Sequence, residues 1–192
     1  YGGGNAYNGF TPSGFVNGDT VGSVTFATNA STSSSGNWNQ GSWTITPSAA
    51  TGGSFNPSNY SITYNTGVLS VAKRSITLTP DSGKSKVYGD SDPTLTYTVS
   101  SGNIINMDSL TGSLGRTAGE SVTGGPYAIN AGDIANGNYN ISITTGKTFA
   151  ITQRPITVTP DANQSKVYGD NDPTLTYGIS VGNLVGKDRW IG

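Results

Sequence analysis

Asp90 and Asp92 stand two residues apart in the stretch KVYGDSDPTLTY (Lys86–Tyr97), and Asp170 and Asp172 repeat that spacing in KVYGDNDPTLTY (Lys166–Tyr177). Carboxylates at every other position are the ligand spacing of calcium loops, and calcium bound here would stiffen a junction between modules. The downstream Glu and the remaining oxygen ligands of an EF-hand loop are missing, however, and Asp in such a turn also serves by capping turn amides. The pattern therefore favours turn caps at all four positions, with calcium as the competing reading and no other cofactor implied. A second constellation is Trp38, flanked by Asn37, Asn39 and Gln40 in a Ser-rich stretch. Its ring could stack on a sugar while the amides bond hydroxyls. The competing reading, a loop Trp folded onto its own domain, is the more ordinary one. Carboxylate pairs can hydrolyse glycosides, but Glu120 is the only Glu and nothing marks a partner for it.

Composition removes most other chemistry. The chain has no His and no Cys, so it has no imidazole base or metal ligand, no thiolate nucleophile and no disulfide. We expect no enzyme. Charged residues make up 11% and the net charge is -1, which leaves no basic field for nucleic acid or an anionic membrane. No apolar run approaches the roughly 20 residues of a membrane span, and YGGGNAYNG lacks the basic and apolar regions of a signal peptide. Any targeting signal is expected outside this sequence. The sequons at Asn29, Asn59, Asn140 and Asn163 read as surface loops.

The elements that must position these residues come in repeats. Ser75–Asn103 aligns without a gap on Pro155–Asn183, a period of 80 residues, the size of a small β domain rather than a solenoid coil. A looser register links NYSITYNTGVLSVAKR (Asn59–Arg74) with NYNISITTGKTFAITQR (Asn138–Arg154). The chain divides into a divergent module at 1–72, a full module at 73–153 and the first half of a third at 154–192. Within a module, Leu95, Tyr97 and Val99 alternate with Thr94, Thr96 and Thr98, and the same period of two runs through SITLTP, NYNISIT and KTFAIT. Trp43 in GSWTITP takes the place of Tyr127 in GPYAINA and reads as a core residue. Lys86–Tyr88 reads as a strand end, GDSDP as a turn and TLTY as the next strand, which together make a hairpin corner. Only Gly102–Gly112 could make a short helix. The expected fold is all-β, tandem antiparallel β-sandwich modules of immunoglobulin-like kind, with β-grasp-like modules as the alternative if that helix forms.

YNGFTPSGFVNGDTVGSVTF, GSWTITPSA, NPSNYSITYNTGVLSVAKRSITLTP and KVYGDSDPTLTYTVSSGN together resemble the MBG and YDG repeat families. The most specific elements are Lys86–Asp90 with Asp92-Pro93, their copy at Lys166–Pro173, Asn17-Gly18-Asp19, and the corners Asn59-Tyr60 and Asn138-Tyr139. Such repeats stand in tandem in large bacterial surface adhesins, notably filamentous-haemagglutinin-like exoproteins of two-partner secretion. The resemblance implies an extracellular or outer-surface location and carries over no catalytic residue. Serial small domains add length by repetition, and the short connections VAKRSI and AITQRPI predict semi-rigid joints. The expected role is a stalk or spacer that projects a distal binding region for attachment or biofilm formation, with neighbouring modules as its partners. The alternative is that the modules themselves bind host or matrix glycans around Trp38. The half module at 154–192 is expected to be a window cut from a longer filament, because half a sandwich exposes apolar surface, including the pair Trp190 and Ile191. A permuted module or strands donated by a neighbouring chain are the other accounts.

Overall fold

Residues 9–189 are described in the computed structural model, and Trp190 and Ile191 fall outside them. The described residues form strands joined by turns, with one 3-10 turn at Pro57–Asn59 and no α-helix. Thr, Ser and Asn side chains compete with helical backbone bonds and Gly adds a backbone-entropy cost, whereas the alternating β-branched and aromatic residues suit a pleated, half-buried surface. Gly102–Gly112 holds a turn, closed by the Asp108 amide donating to the Ile105 carbonyl at 3.0 Å, so the β-grasp alternative loses its helix.

The first repeat contributes β1 (Val21–Thr28), β2 (Gly41–Gly53) and β3 (Gly67–Val71), an antiparallel sheet in the order β1-β2-β3 with Trp43 opposite Leu69. A register shift between Ser23 and Thr25 bends β1 against β2. The second repeat contributes β4 (Arg74–Pro80), β5 (Ser85–Val87), β6 (Tyr97–Ser101), β7 (Gly115–Arg116), β8 (Tyr127–Asn130), β9 (Tyr139–Ile143) and β10 (Thr148–Thr152). They form two sheets, ordered β6-β4-β9 and β5-β10-β8-β7, a division that fits sandwich-type modules. β10 runs antiparallel to β8, with Phe149 opposite Tyr127, and parallel to β5, with Ile151 opposite Lys86. The third repeat contributes β11 (Thr157–Pro160) and β12 (Tyr177–Val181), an antiparallel pair.

Contact density divides the chain into two compact units. The first holds the chain through Leu78 with Val99–Gly112 and Ile134–Ser142, and the second holds Thr79–Thr98, Ser113–Asp133 and the chain from Ile143 onward. The division runs through the second repeat, so each unit combines part of it with the repeat next to it. In the first unit the period of two in β4 buries Ile76 and Leu78, at 2% and 0% exposure, and Tyr139 of β9 is also buried. In the second, Phe149 and Ile151 of β10 join Tyr127 and Ile129 of β8.

Two details differ from the sequence reading. TLTYTVS enters a strand only at Tyr97, with Leu95 half-buried ahead of it, and because β6 is the edge of its sheet Tyr97 is half-buried and Val99 is exposed. Lys86–Tyr97 is also not a hairpin corner: β5 joins β10 in one sheet while β6 joins β4 in the other, so the corner carries the chain between sheets. All four sequon asparagines are exposed, with Asn140 in strand β9 rather than in a loop.

Candidate functional site

The corner Lys86–Tyr97 gathers six charged side chains of the second unit, Lys86, Asp90, Asp92, Arg116, Glu120 and Arg154. β5 turns its Lys86 side chain to 5% exposure, and β7 turns Arg116 to 8%. Arg116 lies 5.1 Å from the Tyr127 ring centre and 5.0 Å from that of Phe149, two aromatic faces that attract a cation. Its Nε and Nη2 donate to the two oxygens of Asp92 at 2.5 and 3.0 Å, its Nη2 also reaches Glu120 at 2.6 Å, and its Nη1 reaches the Gly119 carbonyl at 2.6 Å. Lys86 completes the group, 2.7 Å from Asp92 and hydrogen-bonded to Glu120. A two-toothed guanidinium–carboxylate pair fixes orientation as well as charge, which a point charge cannot do.

Each partner strengthens the ionisation of the others. Arg116 first, and Lys86 with it, hold the Asp92 carboxyl at about 2. Lys86 and Arg116 likewise hold Glu120 below the usual carboxylate range, while Asp92 and then Glu120 push Lys86 up. Two carboxylates both held ionised are the reverse of a glycosidase pair, in which one must keep its proton as general acid. The arrangement is that of a structural ion cluster.

Asp90 looks the other way. Arg154, two residues past β10, donates from Nε to the Tyr88 carbonyl at 2.7 Å and from Nη2 to Asp90. The Tyr88 hydroxyl bonds Asp188, and that carboxylate pushes the phenol up. Gly89 sits at φ +86, and a Cβ there would come within 2.5 Å of Val185. Only Gly permits both that backbone and that approach. Beside it lies a cleft of about 560 Å³ lined by Tyr88, Arg154, Pro155, Leu184, Val185 and Asp188 among others. The second copy is open by comparison. Lys166 meets Asp172 at 2.5 Å, but their side chains are 46% and 84% exposed, and Ser165–Val167 is not a strand. The Asp170 amide closes its turn on the Val167 carbonyl at 3.1 Å, as Asp90 does on Val87 at 3.0 Å. The predicted calcium candidates are thus two turn closers whose sister carboxylates pair with Lys or Arg, and no group of three possible metal ligands occurs among the described residues.

The Trp38 loop belongs to the first unit. Trp38 is half-buried and bridges Thr32. Asn37 donates to Ser35 Oγ at 3.1 Å and Asn39 to Ser31 Oγ at 2.9 Å, so both side-chain amides serve the loop itself. Asn138, buried in the second repeat, accepts from the Gln40 amide at 2.8 Å and donates to Asn39 Oδ1 at 2.9 Å. Ser34 donates to the Met107 carbonyl at 2.9 Å. Trp43 is half-buried on β2, its indole donating to the Asn39 carbonyl at 2.9 Å.

A recurring latch escaped the sequence reading. Tyr60 donates to Asp19 at 2.6 Å, and Tyr139 donates to Asp108 at 2.7 Å while accepting from the Ile105 amide at 2.9 Å. Each Asp closes a turn whose amide bond runs back to Val16 or Ile105 at 3.0 Å, and Asp188 closes the matching turn on Val185. The signal was present as the Asn-Gly-Asp and Asn-Tyr corners, which the sequence marks without showing that they meet. Arg116 and Arg154 had no such signal, since nothing local distinguishes them from solvated cations.

No curated protein and no solved structure matches the chain. The family described as MBG domain (YGX type) matches three times in tandem, over residues 1–70, 76–150 and 156–191, and so covers nearly all of it. The two Tyr-Gly-Asp corners with their ion pairs, and the tandem turns latched by Tyr, thus stand in a chain that belongs to the YGX-type MBG domain family.

Proposed function

We propose that this chain is a stalk segment of a large secreted or cell-surface bacterial adhesin, in which modules at 1–72, 73–153 and 154–192 hold a distal binding region away from the cell. The observation that carries this reading is the way one repeat is held to the next within a compact unit. Arg154, in the connection itself, is held by Tyr88 and Asp90 of the second repeat, whose Gly89 is covered by Val185 and whose Tyr88 bonds Asp188 of the third. In the other unit, Asn138 and Met107 of the second repeat bond Asn39, Gln40 and Ser34 of the first. Joints tied by hydrogen bonds at both connections, and by the Arg154–Asp90 ion pair at the second, resist bending better than flexible linkers do. The low-charge Thr, Ser and Asn surface suits a spacer. Spin labels at the exposed positions Thr117 and Asn163 test the joint. A narrow distance distribution that broadens in Arg154→Ala is expected, and a broad one in the native chain refutes a semi-rigid stalk. A glycan array on the same chain separates the lectin alternative: saturable binding lost in Trp38→Ala with the fold intact would replace the spacer reading.

A further inference from the structure

The second repeat pairs its first segment with its last in both of its sheets, and the paired strands run in the same direction. In one sheet β4 is the neighbour of β9. There the Arg74 amide donates to the Asn138 carbonyl at 2.9 Å and the Thr79 and Thr144 hydroxyls meet at 2.7 Å, so residue numbers rise together along the pair. In the other sheet β5 is parallel to β10, with Ser85, Lys86 and Val87 opposite Ala150, Ile151 and Thr152. The Ala150 amide donates to the Lys84 carbonyl at 3.0 Å, the Tyr88 amide to the Thr152 carbonyl at 2.9 Å, and the Thr152 hydroxyl to the Lys86 carbonyl at 3.2 Å. The bonds of such a ladder are slanted and evenly spaced, so no single one is the first to take up a pull along the strands.

Tension in the chain draws β4 and β5 by their leading ends and β9 and β10 by their trailing ends. Parallel neighbours pulled in this way are sheared, and the bonds between them are loaded together. Strands drawn apart from one end instead lose their bonds one at a time. Side chains oppose the slide as well. A slip of one residue turns every side chain of a strand to the opposite face, and in β5 it takes Lys86, 5% exposed, away from Asp92 and Glu120. Beyond the strands, Arg154 is fastened back to the Tyr88 carbonyl and to Asp90, at the place where tension leaves the repeat. We propose that segments 74–88 and 138–154 form a shear clamp that carries tension through the second repeat. Its biological role rests on the stalk reading, whereas its geometry belongs to the second repeat alone.

The chain has no Cys, so a pair of introduced thiols gives unique handles for single-molecule pulling. Lys73→Cys with Pro155→Cys loads the clamp in shear, and Ser85→Cys with Thr145→Cys draws β5 and β10 apart from their leading ends, all four positions being exposed. Lifetimes at constant force read the unfolding barrier, and urea unfolding of each handle pair supplies the stability difference to be subtracted. The lifetime at a given force should be longer in the first geometry by about tenfold or more, the equivalent of about 1.4 kcal/mol of barrier. Arg154→Ala should shorten the lifetime in the first geometry and leave the second unchanged, since separation from the leading ends reaches Tyr88 last. Equal lifetimes, or a longer one in the second geometry, overturn the clamp, and an unchanged lifetime in Arg154→Ala overturns the part assigned to that residue. The spin-label distances report on the stalk separately: a narrow distribution beside equal lifetimes keeps the stalk and overturns the clamp, and a broad distribution beside unequal lifetimes does the reverse.

Discussion

Arg116→Ala removes the centre of the ion cluster, and the structure sets the cost. Deleting one partner of a buried ion pair costs about 3–5 kcal/mol because the other charge is left uncompensated. Here the orphan is Asp92, whose side chain is 39% exposed and keeps Lys86 at 2.7 Å, which places the electrostatic loss below that range, at about 2 kcal/mol. The contacts of the guanidinium with Tyr127 and Phe149 add about 0.5–1 kcal/mol each, for a total of about 3–4 kcal/mol. Asp92→Asn should cost less, about 1–2 kcal/mol, since Arg116 retains Glu120 and the Gly119 carbonyl. Glu120→Gln, at a side chain 66% exposed, should cost the least of the three. Urea unfolding followed by circular dichroism, with amide exchange at Phe149 and Ile151 as the local readout, ranks the three. The sign with pH follows from Asp92: its folded value near 2 lies below its ordinary 3.8, so its contribution is complete above about pH 4 and is lost as pH falls through 2. The full shift corresponds to about 2 kcal/mol, and solvent screening of so exposed a carboxylate leaves about 1. Asp92→Asn should flatten that acid limb. Equal costs for Glu120→Gln and Arg116→Ala, or an unchanged acid limb, would refute the cluster as drawn.

Leu78→Ala should cost about 2–5 kcal/mol through a core cavity, while Leu95→Ala, half-buried just before the edge strand, should cost about 1 kcal/mol and Thr96→Ala less, all by urea unfolding. Tyr139→Phe should cost about 1–3 kcal/mol and release the amide of Ile105 to exchange, since that buried hydroxyl both donates to Asp108 and accepts from Ile105. Millimolar calcium should move the melting temperature by less than about 2 °C, and a larger rise abolished by Asp90→Asn with Asp92→Asn would restore calcium at the corner.

Strand content was legible because the period of two is a local signal: Ile76 and Leu78, Phe149 and Ile151, and Tyr127 and Ile129 all face the interior as alternation requires. Which strands pair was not legible. β5 lies parallel to β10, more than sixty residues on, and β6 goes to the other sheet, a choice made by long-range packing rather than by the turn between them. For the same reason alternation in TLTYTVS marks the face that Leu95 and Tyr97 share without fixing their depth, since it does not reveal whether a strand is central or at an edge. Among the site residues, sequence could place Asp90 and Asp92 on a turn and could not supply Arg116 or Arg154, because a cation declares itself structural only once the aromatic rings and carboxylates around it are known.

The two copies of the twelve-residue phrase make the same argument within one molecule. KVYGDSDPTLTY and KVYGDNDPTLTY differ only at Ser91 and Asn171, yet Ser85–Val87 is a strand and Ser165–Val167 is not. Local propensity is therefore equal and the difference lies in partners: β10 pairs with the first copy, and Arg116 and Glu120 gather around Lys86 and Asp92, while Lys166 and Asp172 have only each other among the ion pairs of the described residues. What survives in both copies is the pair of features that needs no partner, the positive-φ Gly and the amide bond that closes the turn on Val87 or Val167. The phrase thus encodes a preformed corner and a set of charges awaiting a guanidinium. In the first copy Arg154 comes from the connection to the next repeat, so the corner that closes one module also fastens it to its neighbour. A sequence doing both tasks tolerates little change, and this accounts physically for twelve residues recurring almost unaltered while the chain around them drifts.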